Sequence, residues 1–437
     1  MAQSASTATI LSMQDRARVI DRLLEDKVST VLPGLMDATG IDMWLVIARE
    51  YNEDPVIRTM LPATWLAARR RTILVMFNKG GGEVETLAVA RYDVGSVFKK
   101  SWDKEQQPDQ WKRLAEIIKA RNPKKIGINK SLHFAQADGI TMSEYESFMN
   151  SLSKNYQSRV VSAEDLAIRW LETRSAAEMV IYPQIVRLAH EIIAEGFSNK
   201  AIQPGVTTSD DLVWWYRERI SELKLSTWFH PSVSIQRADP ESFDQLRSFS
   251  SRPDNNVILP GDLLHVDFGI TYLRLNTDTQ QHAYVLYPGE TTAPDYLIRA
   301  FKEGNKLQDI LTSQFKAGRT GNEMLASARE EAIKMGMTPS IYTHPIGYYG
   351  HGSGPTIGMW DSQGGVPVNG DYPLHYNTAY SIELNASVYI EEWKKDIRIM
   401  LEEDAFFDES GLWYIDGRQK KLLLIPGSQS AASILGQ

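Results

Sequence analysis

The segment LLHVDFGITYLRLNTDTQQHAYVL, residues 263–286, holds two apolar runs with one aspartate in each half. Asp267 lies inside the first run, and Asp278 follows eleven residues later, just ahead of the second run, Ala283–Leu286. Burying a carboxylate between apolar neighbours is costly unless it meets a cation or a hydrogen-bond donor. We therefore predict two strands joined by a tight turn, with the two aspartates side by side.

Further along the chain, histidines and acids occupy similar settings. Their segments are THPIGYYGHGSG at 343–354, with His344 and His351; YSIEL at 380–384, with Glu383; and IRIMLEEDA at 397–405, with Glu402. Taken singly, each has an ordinary explanation, such as a turn cap, a solvated strand end or a hydrogen-bonded core histidine. Together, four carboxylates and one imidazole suit Mn, Fe, Co or Zn in a two-metal site. Four negative charges in one buried place need about two divalent cations to be tolerable.

Composition limits the classes of protein and of site. The chain has 437 residues, of which 43% are hydrophobic and 23% charged, so we expect a globular protein with two domains. Its net charge is -8 without a long basic block, which argues against binding nucleic acid or an anionic membrane. It contains no cysteine, which excludes disulfides, thiolate zinc sites and a cysteine nucleophile.

No segment of the sequence predicts a membrane span or a signal peptide. The longest apolar stretches, such as Met43–Ala48, are too short to cross a bilayer. The start Met1-Ala2-Gln3-Ser4 is compatible with a position just after a removed leader. We expect a soluble protein, either cytoplasmic or, if a leader was removed, periplasmic or secreted.

Residues 1–168 have the pattern of an α/β domain, and we place a second domain at 169–437. Helical spacing over residues 10–38 ends near Pro33-Gly34. The remaining predicted elements are strands at Met43–Ala48, Thr72–Phe77, Thr86–Ala90 and Ile126–Ile128 and helices at Gln110–Ala120 and Met142–Leu152.

The second domain begins with a capping-box pattern at Ser175 and Glu178, and Pro183 predicts a kink or a helix start one turn later. A faint repeat follows, in which Gly205-x-Thr207-x-x-Asp210-x-Leu212 matches Gly318-x-Thr320-x-x-Glu323-x-Leu325. Self-similarity at a fixed offset suggests two related halves with a sheltered site between them.

The order Asp267, Asp278, His344, Glu383, Glu402 resembles the five metal ligands of the pita-bread metallohydrolases, which include methionine aminopeptidase, aminopeptidase P, prolidase and creatinase. The resemblance covers about residues 175–430, and the N-terminal part is similar to the creatinase/prolidase N-domain. It implies an α/β (α+β) protein whose C-terminal pita-bread fold has pseudo-two-fold halves. It also implies a homo-oligomer, most simply a dimer.

The resemblance implies a role for each residue. Asp267 and Asp278 would bind one ion as a pair, Asp267 and Glu402 would bridge to the second, and His344 and Glu383 would complete the other ion's shell. The ions would be two divalent metals, with Mn²⁺ preferred and Co²⁺, Zn²⁺ or Fe²⁺ as alternatives. Hydroxide held by the metals would attack the peptide carbonyl.

Two residues have proposed catalytic roles, and three more are candidates for substrate binding. Glu383 would transfer the proton, and His351 would hydrogen-bond substrate and oxyanion. Tyr348 and Trp360 are candidate pocket walls, and His230 is a weaker candidate.

The substrate site departs from the proline-specific members of the family. Where those enzymes carry two histidines and an arginine, this chain has Phe249-Ser250, Ser340 and Met400. Three hypotheses follow: an Xaa-Pro-type aminopeptidase or dipeptidase acting on short peptides, a metal-dependent hydrolase of another small C–N or ester-like bond, and a non-catalytic peptide-binding homologue.

Overall fold

The computed structural model describes residues 10–238, 256–427 and 431–436. The chain divides into two compact units, one formed by residues 11–179 and the other by residues from 180 to the end. Phe249-Ser250, the first of the three departures from the family, lies outside the described residues.

The first unit is built on one six-stranded sheet, in the order β4-β3-β2-β1-β5-β6. Its central strand β1 is buried along almost its whole length, since apolar side chains cover both faces. The strands are β1 (Met43–Arg49), β2 (Arg71–Gly80), β3 (Glu83–Val89), β4 (Lys99–Lys100), β5 (Ile126–Ile128) and β6 (Val160–Ser162), and the helices are α1 (Met13–Thr30), α2 (Leu32–Thr39), α3 (Pro55–Met60), α4 (Gln110–Arg121), α5 (Met142–Ser151), α6 (Lys154–Gln157) and α7 (Glu164–Glu172).

The four predicted strands and the helices at 110 and 142 are confirmed as β1, β2, β3, β5, α4 and α5. The expectation that the first helical stretch ends near Pro33-Gly34 is wrong. The break lies at Val31, and Pro33 occupies the first turn of α2, where a helix tolerates a residue without an N–H. Helix α2 ends at Gly40, whose φ of 64° permits a left-handed cap.

The second unit contains several small sheets and most of α8, the longest helix among the described residues, whose first four residues belong to the first unit. The sheet orders are β20-β11-β8-β7, β12-β15-β16 and β13-β14-β17-β18, with two-stranded pairs β9-β10 and β19-β21. The elements are α8 (Ala176–Gly196), α9 (Ser209–Glu222), β7 (Ser232–Gln236), β8 (Leu263–Phe268), β9 (Thr271–Tyr272), β10 (Leu275–Asn276), β11 (Thr279–Val285), α10 (Asp295–Thr312), α11 (Gly321–Lys334), β12 (Thr338–Ile341), β13 (His344–Ile346), β14 (Thr378–Ser381), β15 (Leu384–Ile390), β16 (Lys395–Leu401), β17 (Asp404–Asp408), β18 (Gly411–Tyr414), β19 (Arg418–Gln419), β20 (Leu423–Ile425) and β21 (Leu435–Gly436).

The capping box before α8 is confirmed. The Ser175 amide donates to Glu178 Oε2 at 2.8 Å, and the Glu178 amide donates to Ser175 Oγ at 3.2 Å. The later helix start that Pro183 suggested is wrong, because α8 begins at Ala176 and continues through the proline.

The two halves suggested by the repeat are present. Gly205 and Gly318 have φ of 85° and 83°, and their amides donate to backbone carbonyls of equivalent later segments. Helices α9 and α11 then both begin with a capping box, at Thr208 and Thr320. In the first copy the capping residue is Thr208, one position after the Thr207 that the repeat aligns with Thr320. The two copies of the repeat are therefore built alike, each with a glycine turn that leads into a capped helix.

Within the described residues, no helix is long and apolar enough to cross a membrane.

Candidate metal centre

Three neighbouring chain segments place Asp267, Gln280 and Glu402 side by side. In the antiparallel pair β8–β11, Asp267 lies directly opposite Gln280. On the other side of β11, the backbone N–H of Gln280 donates to the backbone carbonyl of Glu402 at 3.0 Å. The backbone N–H of Glu402 donates to the backbone carbonyl of Gln280 at 3.2 Å. Asp278 is two residues before Gln280, and because side chains alternate along a strand, it projects to the same face. The strand pair predicted from residues 263–286 is thus confirmed.

His344 and Glu383 come from the adjoining sheets. His344 opens β13, opposite Ser381 of β14. Glu383 lies in the short break between β14 and β15, not inside a strand as its pattern suggested. Thr343 holds that break: its hydroxyl accepts from the Glu383 amide and donates to the Glu383 carbonyl, both at 3.0 Å.

The five predicted ligands form one cluster. His344 Nε2 lies 3.6 Å from both Asp278 Oδ2 and Glu402 Oε1, and 3.9 Å from Glu383 Oε2. Among the described residues, three sets of possible ligand atoms each lie within 4.8 Å of one another: two consist of predicted ligands only, Asp267, Asp278 and Glu402, and His344, Glu383 and Glu402, and the third joins Asp278 and His344 to His351. Glu402 belongs to the first two sets. Asp278, rather than Asp267 as expected, is the aspartate beside His344.

These residues fit divalent cations. Asp267 Oδ1, Asp278 Oδ1 and His344 Nε2 are buried, and none has a hydrogen-bond partner among the described residues. Two atoms about 2.1 Å from one ion at tetrahedral angles are about 3.4 Å apart, near the observed spacings and beyond hydrogen-bond length. A buried polar atom without a partner is costly, and divalent cations bound by these ligand sets would satisfy the three atoms.

The electrostatics point the same way. Burial, together with the charge of Glu402, raises the pKa of Asp267, Asp278 and Glu383 well above the ordinary carboxyl range. Without a cation, the cluster would therefore tend to hold protons. A divalent ion replaces those protons and keeps the carboxylates ionised.

His351 stands at the edge of the cluster. Its ring lies 4.8 Å from that of His344, edge to face, and 5.0 Å from that of Trp228. Although His351 is exposed, partial desolvation of its ring and the neighbouring His344 lower its pKa to about 4, so the ring is neutral at neutral pH. A neutral imidazole can donate one hydrogen bond to a bound substrate.

A family model describes more than half of the chain. Residues 184–406 match the model of metallopeptidase family M24. The chain belongs to that family. Every residue of the cluster lies inside the matched segment, and the expected pita-bread resemblance is confirmed.

Solved structures with the same fold cover almost the whole M24 protein. An X-Pro aminopeptidase from Thermotoga maritima is 17% identical with a TM-score of 0.62, covering 90% of this chain and 99% of its own. An Xaa-Pro dipeptidase from Bacillus anthracis is 18% identical with a TM-score of 0.57, covering 94% and 100%. A prolidase from Pyrococcus furiosus is 16% identical with a TM-score of 0.53, covering 89% and 99%. No curated protein matches the sequence.

The three substrate-site candidates of this M24 chain occupy different surroundings. His230 lies against α9, where its Nδ1 is 3.3 Å from Arg217 Nη1 and its ring 5.3 Å from that of Trp214. Tyr348 is half-buried next to Gly347. Trp360 is 62% exposed. Their roles stay predictions.

Sequence reasoning missed three polar residues and one aromatic residue at the M24 site. Gln280 donates to Glu383 and Glu402 and contacts His265 behind it, and the Ser381 hydroxyl donates to Glu402 Oε1 at 2.6 Å. Trp228 donates its indole N–H to the Thr277 carbonyl at 3.0 Å and contacts His351 edge to face. For Gln280 and His265 a signal existed, because each stands two residues from a predicted ligand and so shares its face.

The acids that follow Glu402 point elsewhere. Glu403 accepts from His190 Nε2 at 2.6 Å, and Asp416 binds the other ring nitrogen at 2.7 Å. Burial opposes a charge on His190, but the two carboxylates raise its pKa to about 10. Asp404 accepts from the Asp278 amide at 3.3 Å. These contacts fix the backbone on which Glu402 and Asp278 stand.

Proposed function

We propose that this M24 metallopeptidase binds two divalent ions through Asp267, Asp278, His344, Glu383 and Glu402, and that it is an Xaa-Pro-type aminopeptidase or dipeptidase acting on short peptides. The observation that carries the proposal is the set of three buried ligand atoms without hydrogen-bond partners. Carboxylate-rich donors with a single imidazole favour Mn²⁺, with Co²⁺, Zn²⁺ and Fe²⁺ as alternatives.

Glu383 is the best-placed residue to move a proton. Bound divalent ions supply Lewis-acid activation of water and of the scissile carbonyl. The Glu383 side chain is 12% exposed, against 1% for Glu402 and 5% for Asp278, so substrate can approach it. Its Oε1 accepts from Gln280, so Oε2, which faces His344, would serve the ion with one lone pair and use the other to take a proton from water and pass it to the leaving nitrogen.

His351 completes the proposed mechanism. Because its ring is neutral and lies at the edge of the cluster, it can donate a hydrogen bond to the oxyanion as charge develops there. Trp228, packed on the ring, limits its rotation.

The residues beside Glu383 favour a modified substrate preference. Ser340, Asn385 and Met400 lie opposite one another on β12, β15 and β16, and the Tyr342 hydroxyl hydrogen-bonds the Asn385 side chain. This corner offers neutral hydrogen-bonding groups where proline-specific members have a histidine and an arginine. Hydrolysis of another small C–N or ester-like bond is therefore the second candidate function.

Metal analysis beside a substrate panel tests the proposal. We expect up to two Mn²⁺ or Co²⁺ per chain after loading and hydrolysis of short peptides that chelation abolishes. A purified protein that binds no divalent metal after loading would contradict the proposal. Metal binding with activity only on non-peptide esters or amides would favour the second candidate.

A further inference from the structure

Gln280 contacts both glutamates of the cluster. Its side-chain Nε2 donates to Glu402 Oε2 at 2.7 Å and to Glu383 Oε1. The residue is 2% exposed and lies in register between Asp267 and Glu402. A neutral amide with two N–H donors therefore stands in a row of carboxylates.

The orientation of this amide is set from behind. Gln280 Oε1 lies 2.9 Å from His265 Nε2, and Ser234 Oγ lies 3.4 Å from His265 Nδ1. An amide oxygen can only accept, so His265 donates through Nε2 and its Nδ1 accepts from the Ser234 hydroxyl. That tautomer turns the NH₂ group of Gln280 toward the glutamates.

The amide donates to one oxygen of each glutamate, and the other oxygen of each faces His344, although Glu402 Oε1 also accepts from the Ser381 hydroxyl at 2.6 Å. The remaining atoms are Glu383 Oε2 and Glu402 Oε1, and these are the atoms that lie 3.9 Å and 3.6 Å from His344 Nε2. The Gln280 amide thus holds both glutamates in the rotamers that present one oxygen each. An apolar side chain of the same size would fill the space without selecting those rotamers.

We infer that Gln280, oriented by His265, is a positioning residue that holds Glu383 and Glu402 in the rotamers in which they serve as metal ligands. The inference rests on the proposed function, in which these glutamates hold the ions. Groups that orient metal ligands in this way typically change metal affinity by about 10- to 100-fold when they are removed.

The test uses the full chain and two matched substitutions on β11. Gln280→Met keeps the length of the side chain and removes both donors. Gln281→Met makes the same change one residue on, where the amide donates to Glu403 at 3.1 Å instead of to a proposed ligand. Mn²⁺ titration calorimetry gives the Kd, and the visible spectrum of the Co²⁺ form reports the ligand set.

We expect Gln280→Met to raise the Kd about 10- to 100-fold and to alter the Co²⁺ spectrum, whereas Gln281→Met changes neither. If Gln280→Met does not fold, His265 provides the second comparison. His265→Phe removes the donor to Gln280 and should weaken binding, and His265→Gln, which keeps an N–H near the Nε2 position, should restore it.

The outcomes separate the two proposals. If the parent protein binds no Mn²⁺ or Co²⁺, the proposed function fails, and this inference fails with it. If the parent protein binds metal and Gln280→Met has the same Kd and spectrum, only the inference is overturned. Equal losses in Gln280→Met and Gln281→Met would also overturn it, because they would indicate a general effect on the strand.

Discussion

Replacing Asp278 by asparagine should stabilise the metal-free protein while removing its response to metal. Asp278 has ligand atoms of two other carboxylates within 4.8 Å, and His344 Nε2 lies at 3.6 Å. With all groups ionised and an effective dielectric constant of about 20, Asp278 is repelled by Asp267 and by Glu402 with at least about 3.5 kcal/mol each. Its attraction to the charged imidazole of His344 is about 4.6 kcal/mol. The net electrostatic penalty is about 2 kcal/mol, and desolvation of the buried carboxylate adds to it.

The raised pKa of Asp278 also predicts that Asp278→Asn stabilises the metal-free protein. Burial and the charges of Glu402 and Asp267 make the folded chain hold this proton more tightly than the unfolded chain. The metal-free fold therefore loses stability as pH rises above the ordinary aspartate pKa of about 3.9. At neutral pH the asparagine variant escapes that loss, so its melting temperature should rise by roughly 4–8 °C.

The melting temperatures of the parent and of Asp278→Asn are compared by thermal unfolding, once with a chelator and once with added Mn²⁺. Mn²⁺ at about 100 times its Kd should stabilise the parent by about 2.7 kcal/mol and the variant by far less, so the order of stability reverses. Asp262→Asn is the control: it breaks the 2.7 Å pair with Arg237, and it should destabilise both forms without changing the metal increment. A metal-free Asp278→Asn protein that melts below the parent, or that gains as much from Mn²⁺, would refute the reasoning.

Four further predictions follow from the site and the family. Glu383→Gln should lower kcat by about 10²-fold or more with a smaller effect on KM, because a proton shuttle acts in the transition state; near-normal kcat would remove it from that role. In a panel that also contains longer Xaa-Pro-Yaa and non-prolyl peptides, Xaa-Pro dipeptides should be cleaved about 10- to 1,000-fold less efficiently than the best substrate, because Ser340 and Met400 offer no charged group. Strict and efficient Xaa-Pro dipeptidase activity would contradict this. The pKa of His190 is raised to about 10, so the folded protein holds the charged imidazolium more tightly than the unfolded chain does. The free energy of unfolding of the metal-free protein should therefore fall between pH 6.5 and about 10. Denaturation should show a steeper fall in the parent than in His190→Gln. Light scattering should give a mass of twice 49.4 kDa, and a monomer at micromolar concentration would rule out the dimer.

Local patterns in the sequence were enough for most of the elements around the site. The apolar runs of β8 and β11, the capping box at Ser175 and the strands of the first unit all depend on residues a few positions apart. The grouping of Asp267, Asp278, His344, Glu383 and Glu402 could also be predicted, because buried acids at strand positions need cations and their order resembles a known ligand set. Pro33 misled the prediction because a proline in the first turn of a helix and one after its end look alike locally.

The tertiary structure alone decided which residues stand beside the ligands. Gln280 meets Glu402 across 122 positions of sequence, and Trp228 meets His351 from another segment. Such neighbours depend on the register of strands that are distant in the chain, and a shift of one residue would turn each side chain to the opposite face. The sequence places these acids within apolar runs, where they need cations, and their order resembles a known ligand set. Only the register determines that Gln280 lies between Asp267 and Glu402 and that Glu383 falls in a break between two strands.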